Sequence, residues 1–316
     1  MSMPINNIKM APASDNHSFL SEFHDYDFID IDPDVNFWDN VNYSSNLIAP
    51  ENLYGHVSHF DSDLTLSILH INTRSLIHKL SNVQTLIDQC NVEFSIIGLT
   101  ETWLDDVSDR MVSIPGYKFN CVNRPNRIGG GVGCFVKNGI PFVCRNDLCR
   151  KNDIFDWMAI ELVMTASKNS IIYVVYRPPN SNFEFFIDSL YASLISANLQ
   201  NKHAYILGDF NINLLADDSR NIKSSFIDSL FNFSLFPLIK SPTRVTDYSA
   251  TLIDNIFTNN ITTIYAALLC SDISDHFPIC AFLDHSSKKQ SPSTSNKERN
   301  LNTRNLNQLN VFFFKL

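Results

Sequence analysis

Near the C-terminal end of this 316-residue chain, Asp275 and His276 stand side by side at the head of the apolar run FPIC. The same punctuation recurs upstream. Apolar runs stop on Asn72 in HINTRS, Glu101 in GLTETWL, Tyr176 in VVYRPPN, Asp209 and Asn211 in LGDFNIN, and Asp254 in ATLIDNIF. Carboxylates and carboxamides are hard oxygen donors for a metal ion, while imidazole and phenol carry transferable protons and can meet a phosphate. Taken singly, each residue also has an ordinary use. Asn72 can begin a turn, Asp209 can be a loop acid, and a His before a strand can be structural or solvated. Their recurrence at run after run points to a site, because open α/β sheets assemble sites in the crevice beyond their strand ends.

The runs must supply the scaffold. TLSILHIN (65–72), EFSIIGLT (93–100), GVGCFVK (131–137), WMAIELVM (157–164), SIIYVVY (170–176), HAYILGD (203–209) and FPICAFLD (277–284) are rich in Ile, Val, Phe and Tyr and predict strands. Several are apolar on both faces, as in a buried sheet. Apolar residues three and four apart predict helices over 75–90, 182–199 and 221–233. Strands alternating with helices indicate one α/β domain over 63–285.

Composition bounds the remainder. With 44% hydrophobic and 12% aromatic residues, the chain can bury a large core. Its seven cysteines form no CxxC pair, which argues against a zinc ribbon or a secreted disulfide framework. No apolar run reaches the ~18 residues of a membrane span, and the N-terminus MSMPINNIKMAPAS lacks a signal-peptide core. An intracellular protein, nuclear or cytoplasmic and without a membrane partner, is expected. The formal charge of −9 is unevenly spread: residues 1–66 hold 11 acids and one lysine, and the rest is close to balanced. Residues 1–62 therefore read as an acidic arm, disordered or held by a protein partner, with HDYDFIDIDPDVNFWDN as its most patterned stretch. Residues 286–316 are Ser-, Asn- and Lys-rich and read as a linker.

The ordered set TETWL, YRPPN, GDFNINLL, SPTRV, ATLIDNIFTN and SDHFPI resembles the endonuclease/exonuclease/phosphatase superfamily. Within it, the likeness is to the apurinic/apyrimidinic-like endonuclease domain of non-LTR retrotransposons. The resemblance implies a four-layer sandwich, two packed mixed β-sheets flanked by helices as in deoxyribonuclease I. It also implies a Mg²⁺-dependent DNA endonuclease, with Mn²⁺ as a substitute, that leaves 3′-hydroxyl and 5′-phosphate ends. In that scheme His276 faces the scissile phosphate and Asp254 orients it. Asp209 positions the attacking water, Asn211 holds a phosphate oxygen, and Tyr176 donates to the phosphate or the leaving oxygen. Glu101 and Asn72 are the metal ligands, with Asp275 near them.

DNA as substrate agrees with the charge of one segment. From Lys118 to Lys151 seven bases face a single acid, Asp147, so Arg124 and Arg127 are candidate backbone contacts, as is Arg177 beside Tyr176. The Ala-Asp-Asp of LLADDSR imitates a polymerase metal site, yet it follows GDFNIN in a polar loop, so Asp217 and Asp218 read as solvated. A full retrotransposon would continue into a polymerase beyond VFFFKL, so an endonuclease-only fragment or truncated copy is expected. Two other classes stay open: a small-molecule phosphatase or phosphodiesterase of the same superfamily, and a decayed copy that only binds DNA or protein.

Overall fold

Eight consecutive residues from Thr65 to Asn72 form a strand whose side chains are almost all buried on both faces, and the fold is built around it. A computed structural model describes residues 45–285 apart from 63, 125–128, 152–153, 165–167, 217–221 and 261. In chain order, β1 (Asn46–Ile48) and the short helix α1 (Leu53–Val57) precede β2 (Thr65–Asn72), helix α2 (Leu76–Cys90) and β3 (Ile96–Thr100). Then come β4 (Tyr117–Val122), β5 (Val132–Lys137), β6 (Phe142–Cys144), β7 (Arg150–Lys151), β8 (Asp156–Leu162) and β9 (Ser170–Tyr176). Helix α3 (Phe183–Ala197), β10 (His203–Asp209), helix α4 (Ile222–Phe231), β11 (Phe236–Pro237), β12 (Arg244–Thr246) and β13 (Ser249–Thr251) follow. The chain closes with β14 (Asp254–Thr258), β15 (Thr263–Leu269) and β16 (Ile279–Asp284).

One sheet runs β1-β15-β16-β2-β3-β5-β4, the other β11-β14-β10-β9-β8-β6. Both mix parallel and antiparallel pairs: β2 with β3 and β9 with β10 are parallel, and most others are antiparallel. The faces of β2 sort by the two-residue period of a strand. Leu66 and Ile68 join the core between the sheets, whereas Leu69 and Ile71 join a second core under α1 and α2. Helices α3 and α4 cover the second sheet with Phe186, Leu190, Phe226 and Leu230. The architecture is the expected α/β sandwich, helix, sheet, sheet, helix. At its centre the sheets approach closely: a Cβ on Gly98 would fall 2.5 Å from Leu207 Cδ1 and 3.2 Å from Val174 Cγ2, so β3 needs a glycine there.

One boundary is corrected. The acidic arm does not extend to residue 62, because from Ser45 onward the chain belongs to the domain. β1 pairs in parallel with β15, Asn46 opposite Ala267, and Leu53 is fully buried against the α2 core. The acidic alternation ends at Asp39; beyond it Leu47, Ile48, Leu53 and Val57 supply apolar area that a charge count over the whole arm conceals. The rest of the expected arm, the expected linker, Arg127, Asp217 and Asp218 lie outside the described residues. Among the described residues no helix is long and apolar enough to cross a membrane.

Candidate active site

Strand register gathers the polar strand ends. Across the second sheet Asp209 stands opposite Asp254 on one side and Tyr176 on the other, and Tyr176 stands opposite Asp156. Asn72 ends β2 in the facing sheet and bridges the gap, its Nδ2 donating to Asp209 Oδ2 at 2.9 Å. The second oxygen of Asp209 accepts from the Asn211 amide at 3.0 Å. Asp209 is thus fully buried with only neutral donors on it and Asp254 beside it. Burial, then the Asp254 charge, hold its carboxyl far above the usual range, partly offset by His276.

Asp254 has the opposite bias. Its Oδ2 lies 2.8 Å from His276 Nδ1 and accepts from Thr243 Oγ1 at 2.7 Å. Burial works against its ionised form, but the His276 charge and hydrogen bond, with smaller help from His70 and Thr243, keep its pKa below the ordinary value. A carboxylate only accepts, so Nδ1 carries the hydrogen in this pair and Nε2 is left for other partners. For His276 burial alone would lower the pKa; the charge and hydrogen bond of Asp254, then Asp209 and Asp275, override it and raise the imidazole to about 9. The backbone secures the ring, since Phe277 N donates to Thr243 O at 2.7 Å and His276 N to Ser274 Oγ at 3.2 Å. Ser274 Oγ in turn donates to Asn72 O at 2.7 Å, tying the His276 turn to the end of β2.

Glu101 follows β3 with a positive φ of 51°. Its Oε2 accepts from Trp103 Nε1 at 3.0 Å, and its charge acts on the Tyr176 phenol. Burial first, then the charges of Glu101 and Asp209, push the Tyr176 hydroxyl well above its usual pKa, so it keeps its proton at neutral pH. Asn211, also at positive φ, turns its Nδ2 to the Arg177 carbonyl at 2.9 Å.

Four expectations change. Asp275 is not in the Asp209–Asp254–His276 cluster: Arg74 Nη1 and Arg244 Nε each hold one of its oxygens at 2.7 Å. Arg177 is 5% exposed and donates to the carbonyls of Phe210, Asn211 and Ser181, so its charge braces the loop after β10 and is not presented to a ligand. Arg124 is 8% exposed and paired with the fully buried Asp156, Nε to Oδ1 at 3.1 Å, with its guanidinium carbon 5.8 Å from the centre of the Tyr176 ring. Asn211 points its amide hydrogen into the protein.

The sequence reading missed His70, Thr243, Asp156 and Trp103. His70 lies on the same face of β2 as Asn72, two residues earlier. Its Nε2 meets Thr100 Oγ1 at 3.1 Å, its Nδ1 is 4.0 Å from Asp254 Oδ1, and burial lowers its pKa to about 4 against the pull of Asp254. The two-residue strand period linking His70 to Asn72 was the available signal.

The donor set suits a divalent cation. Asp209, Asp254 and His276 each offer a ligand atom within 4.8 Å of one another. Asn72 Oδ1 is buried with no hydrogen-bond partner, the state of an oxygen meant for a ligand. Because His276 Nδ1 is committed to Asp254, the oxygens of Asn72 and Glu101 are the better hard donors.

Two packed sheets with a buried Asp-His pair and an Asn-Asp bridge between them define a hydrolase sandwich of the nuclease and phosphatase kind. The chain belongs to the Endonuclease/Exonuclease/phosphatase family, whose model matches residues 64–276. No curated protein matches the chain. Similar solved structures include the endonuclease domain of TRAS1, a telomere-specific non-LTR retrotransposon, at 13% identity and TM-score 0.56, covering 70% of this chain and 98% of that one. The AP endonuclease LMAP from Leishmania major has 12% identity and TM-score 0.60, covering 78% and 94%. The 3′ phosphatase NExo from Neisseria, bound to a product DNA hairpin, has 16% identity and TM-score 0.52, covering 69% and 99%.

Proposed function

We propose that this protein is a Mg²⁺-dependent DNA endonuclease that nicks one strand by hydrolysing the P–O3′ bond, leaving 3′-hydroxyl and 5′-phosphate ends. We further propose that it derives from a non-LTR retrotransposon. The observation that carries the reading is the His276–Asp254 pair at 2.8 Å beside the Asn72–Asp209 bridge at 2.9 Å. The same blocks that resemble retrotransposon endonucleases, TETWL, YRPPN, GDFNINLL and SDHFPI, supply these residues or their neighbours.

In this reading Asp209 orients the attacking water and takes its proton, a role suited to a carboxyl whose proton affinity burial has raised. His276, held as an imidazolium by Asp254, lies against the phosphate and stabilises the charge of the pentacovalent transition state. Tyr176 keeps its proton at neutral pH and donates it toward the departing 3′-oxygen. A divalent cation, when bound to Asn72 and Glu101, supplies positive charge to the non-bridging phosphate oxygens. Asn211 contributes through its loop position.

The test is nicking of supercoiled plasmid by the full chain in Mg²⁺ and in EDTA, followed by end analysis. Open circles formed only with Mg²⁺, and extended by a polymerase without phosphatase treatment, are expected. Intact plasmid, or nicks that need dephosphorylation before extension, would overturn the reading.

A further inference from the structure

Trp103 has a backbone conformation that a tryptophan seldom adopts. Its φ is 54°, two residues after Glu101 at 51°, and bulky residues are rare in this region unless their surroundings enforce it. The enforcement is visible. Trp103 N donates to Gly130 O at 3.0 Å and Thr102 N to Gly131 O at 3.3 Å, while Ser75 N and Leu76 N donate to the carbonyls of Glu101 and Thr102 at 2.9 Å. Gly130 and Gly131 are themselves at positive φ, and a Cβ on Gly131 would fall 2.7 Å from Thr102 Oγ1. The buried Asp156 carboxylate anchors this glycine strap through Gly131 N at 3.0 Å.

The strap sets one contact. With both residues turned the same way, the Trp103 indole N–H reaches Glu101 Oε2 at 3.0 Å. Trp103 is also 40% exposed. A small polar residue could supply the same hydrogen bond. What a tryptophan adds is an open aromatic face, on which a nucleotide base or sugar can stack.

We infer that Trp103 is a positioning residue for Glu101 and, through the same ring, a contact for the nucleotide flanking the scissile phosphate. This rests on the nuclease reading of the site. The N–H fixes the rotamer of the carboxylate, so the cation meets an ordered oxygen. The ring face binds DNA beside it.

Two substitutions in the full chain separate the roles. Trp103→Phe keeps a ring and loses the N–H; Trp103→Gln keeps a donor and loses the ring. Binding of Mn²⁺ alone, followed by the paramagnetic resonance of the free ion, is expected to weaken roughly 10-fold in Trp103→Phe, as for other residues that orient a metal ligand, and to stay near wild type in Trp103→Gln. Binding of a duplex oligonucleotide in EDTA is expected to weaken roughly 10-fold in Trp103→Gln, the size of one lost stacking contact, and little in Trp103→Phe. Equal Mn²⁺ affinity of Trp103→Phe and wild type overturns the positioning role; equal DNA affinity of Trp103→Gln and wild type overturns the contact. Both results can be read whether or not plasmid is nicked, so failure here is distinguishable from failure of the nuclease reading.

Discussion

Asp254 stands directly opposite Asp209 in the antiparallel register of β14 and β10, and of the two it is Asp254 that is hydrogen-bonded to an imidazole, His276 Nδ1 at 2.8 Å. Two carboxyls one strand apart therefore differ in proton affinity. Cross-strand like charges are unfavourable; His276 and Thr243 stabilise charge on Asp254, and Asp209 absorbs the cost by binding a proton more tightly. The site is an arrangement of one charge pair and one carboxyl of raised proton affinity.

Replacing His276 by Ala should lower the nicking rate by roughly 10²- to 10⁴-fold, the range for loss of a positioned proton-transfer or charge-stabilising group. Asp254→Asn should also lower the rate, because an amide hydrogen facing Nδ1 forces the ring to the other tautomer or out of line. Supercoiled-plasmid nicking with matched far-ultraviolet dichroism checks both. Wild-type rates in a folded His276→Ala protein would make the pair structural.

The same pair predicts how metal-free stability depends on pH. His276 in the folded protein is raised to about 9 from its ordinary 6.5, so its contribution is complete below about 6.5 and is lost as pH rises through 9. Asp209, also raised, acts in the same direction, favouring the fold at lower pH. In EDTA the melting temperature of wild type should exceed that of Asp254→Asn most near pH 6, and the gap should narrow toward pH 10. A gap that widens with pH would contradict the assignment of an ionised pair.

Legibility in the sequence followed burial. β2, β9 and β10 agree with their expected bounds because each is apolar on both faces and ends on a polar residue. β4 escaped notice because YKFNCV mixes polar and apolar residues in a half-buried strand, and β14 because DNIFT is short and opens with the site aspartate. Strand-end carboxylates were readable as types, but a positive charge does not announce its partner. Arg124 and Arg177 looked like phosphate contacts; the structure assigns the first to Asp156 and the second to backbone carbonyls. His70 was hidden because a single His inside an apolar run reads as core, and nothing along the chain shows that Asp254 lies 4.0 Å away.

Arg124 is consequently expected to act on stability and on Tyr176. Arg124→Ala leaves the buried Asp156 without its cation, and losing one member of a buried pair costs about 3–5 kcal/mol. The Arg124→Met, Asp156→Leu double variant removes both charges, so it should recover part of that loss. Chemical denaturation of the three proteins tests this. If Arg124→Ala unfolds like wild type yet binds DNA several-fold more weakly, its original reading as a backbone contact is correct.

The N-terminal segment gives the last prediction, now with a boundary taken from the fold. Residues 1–44 contain none of the site residues and carry most of the arm's acids. Their removal should leave melting unchanged and strengthen DNA binding at low salt, because a segment with this net negative charge repels phosphates. The gain should shrink at physiological ionic strength, where the Debye length is about 8 Å. Removal of residues 1–60 is a different experiment: it deletes β1 from the edge beside β15 and takes Leu53 and Val57 out of the core under α2. Each fully buried aliphatic side chain is worth about 1.5–3 kcal/mol, so the longer deletion should melt markedly lower. A shorter deletion that also melts far below wild type would place residues before Ser45 in the core, and equal DNA affinity at both salt concentrations would remove the electrostatic role of the arm.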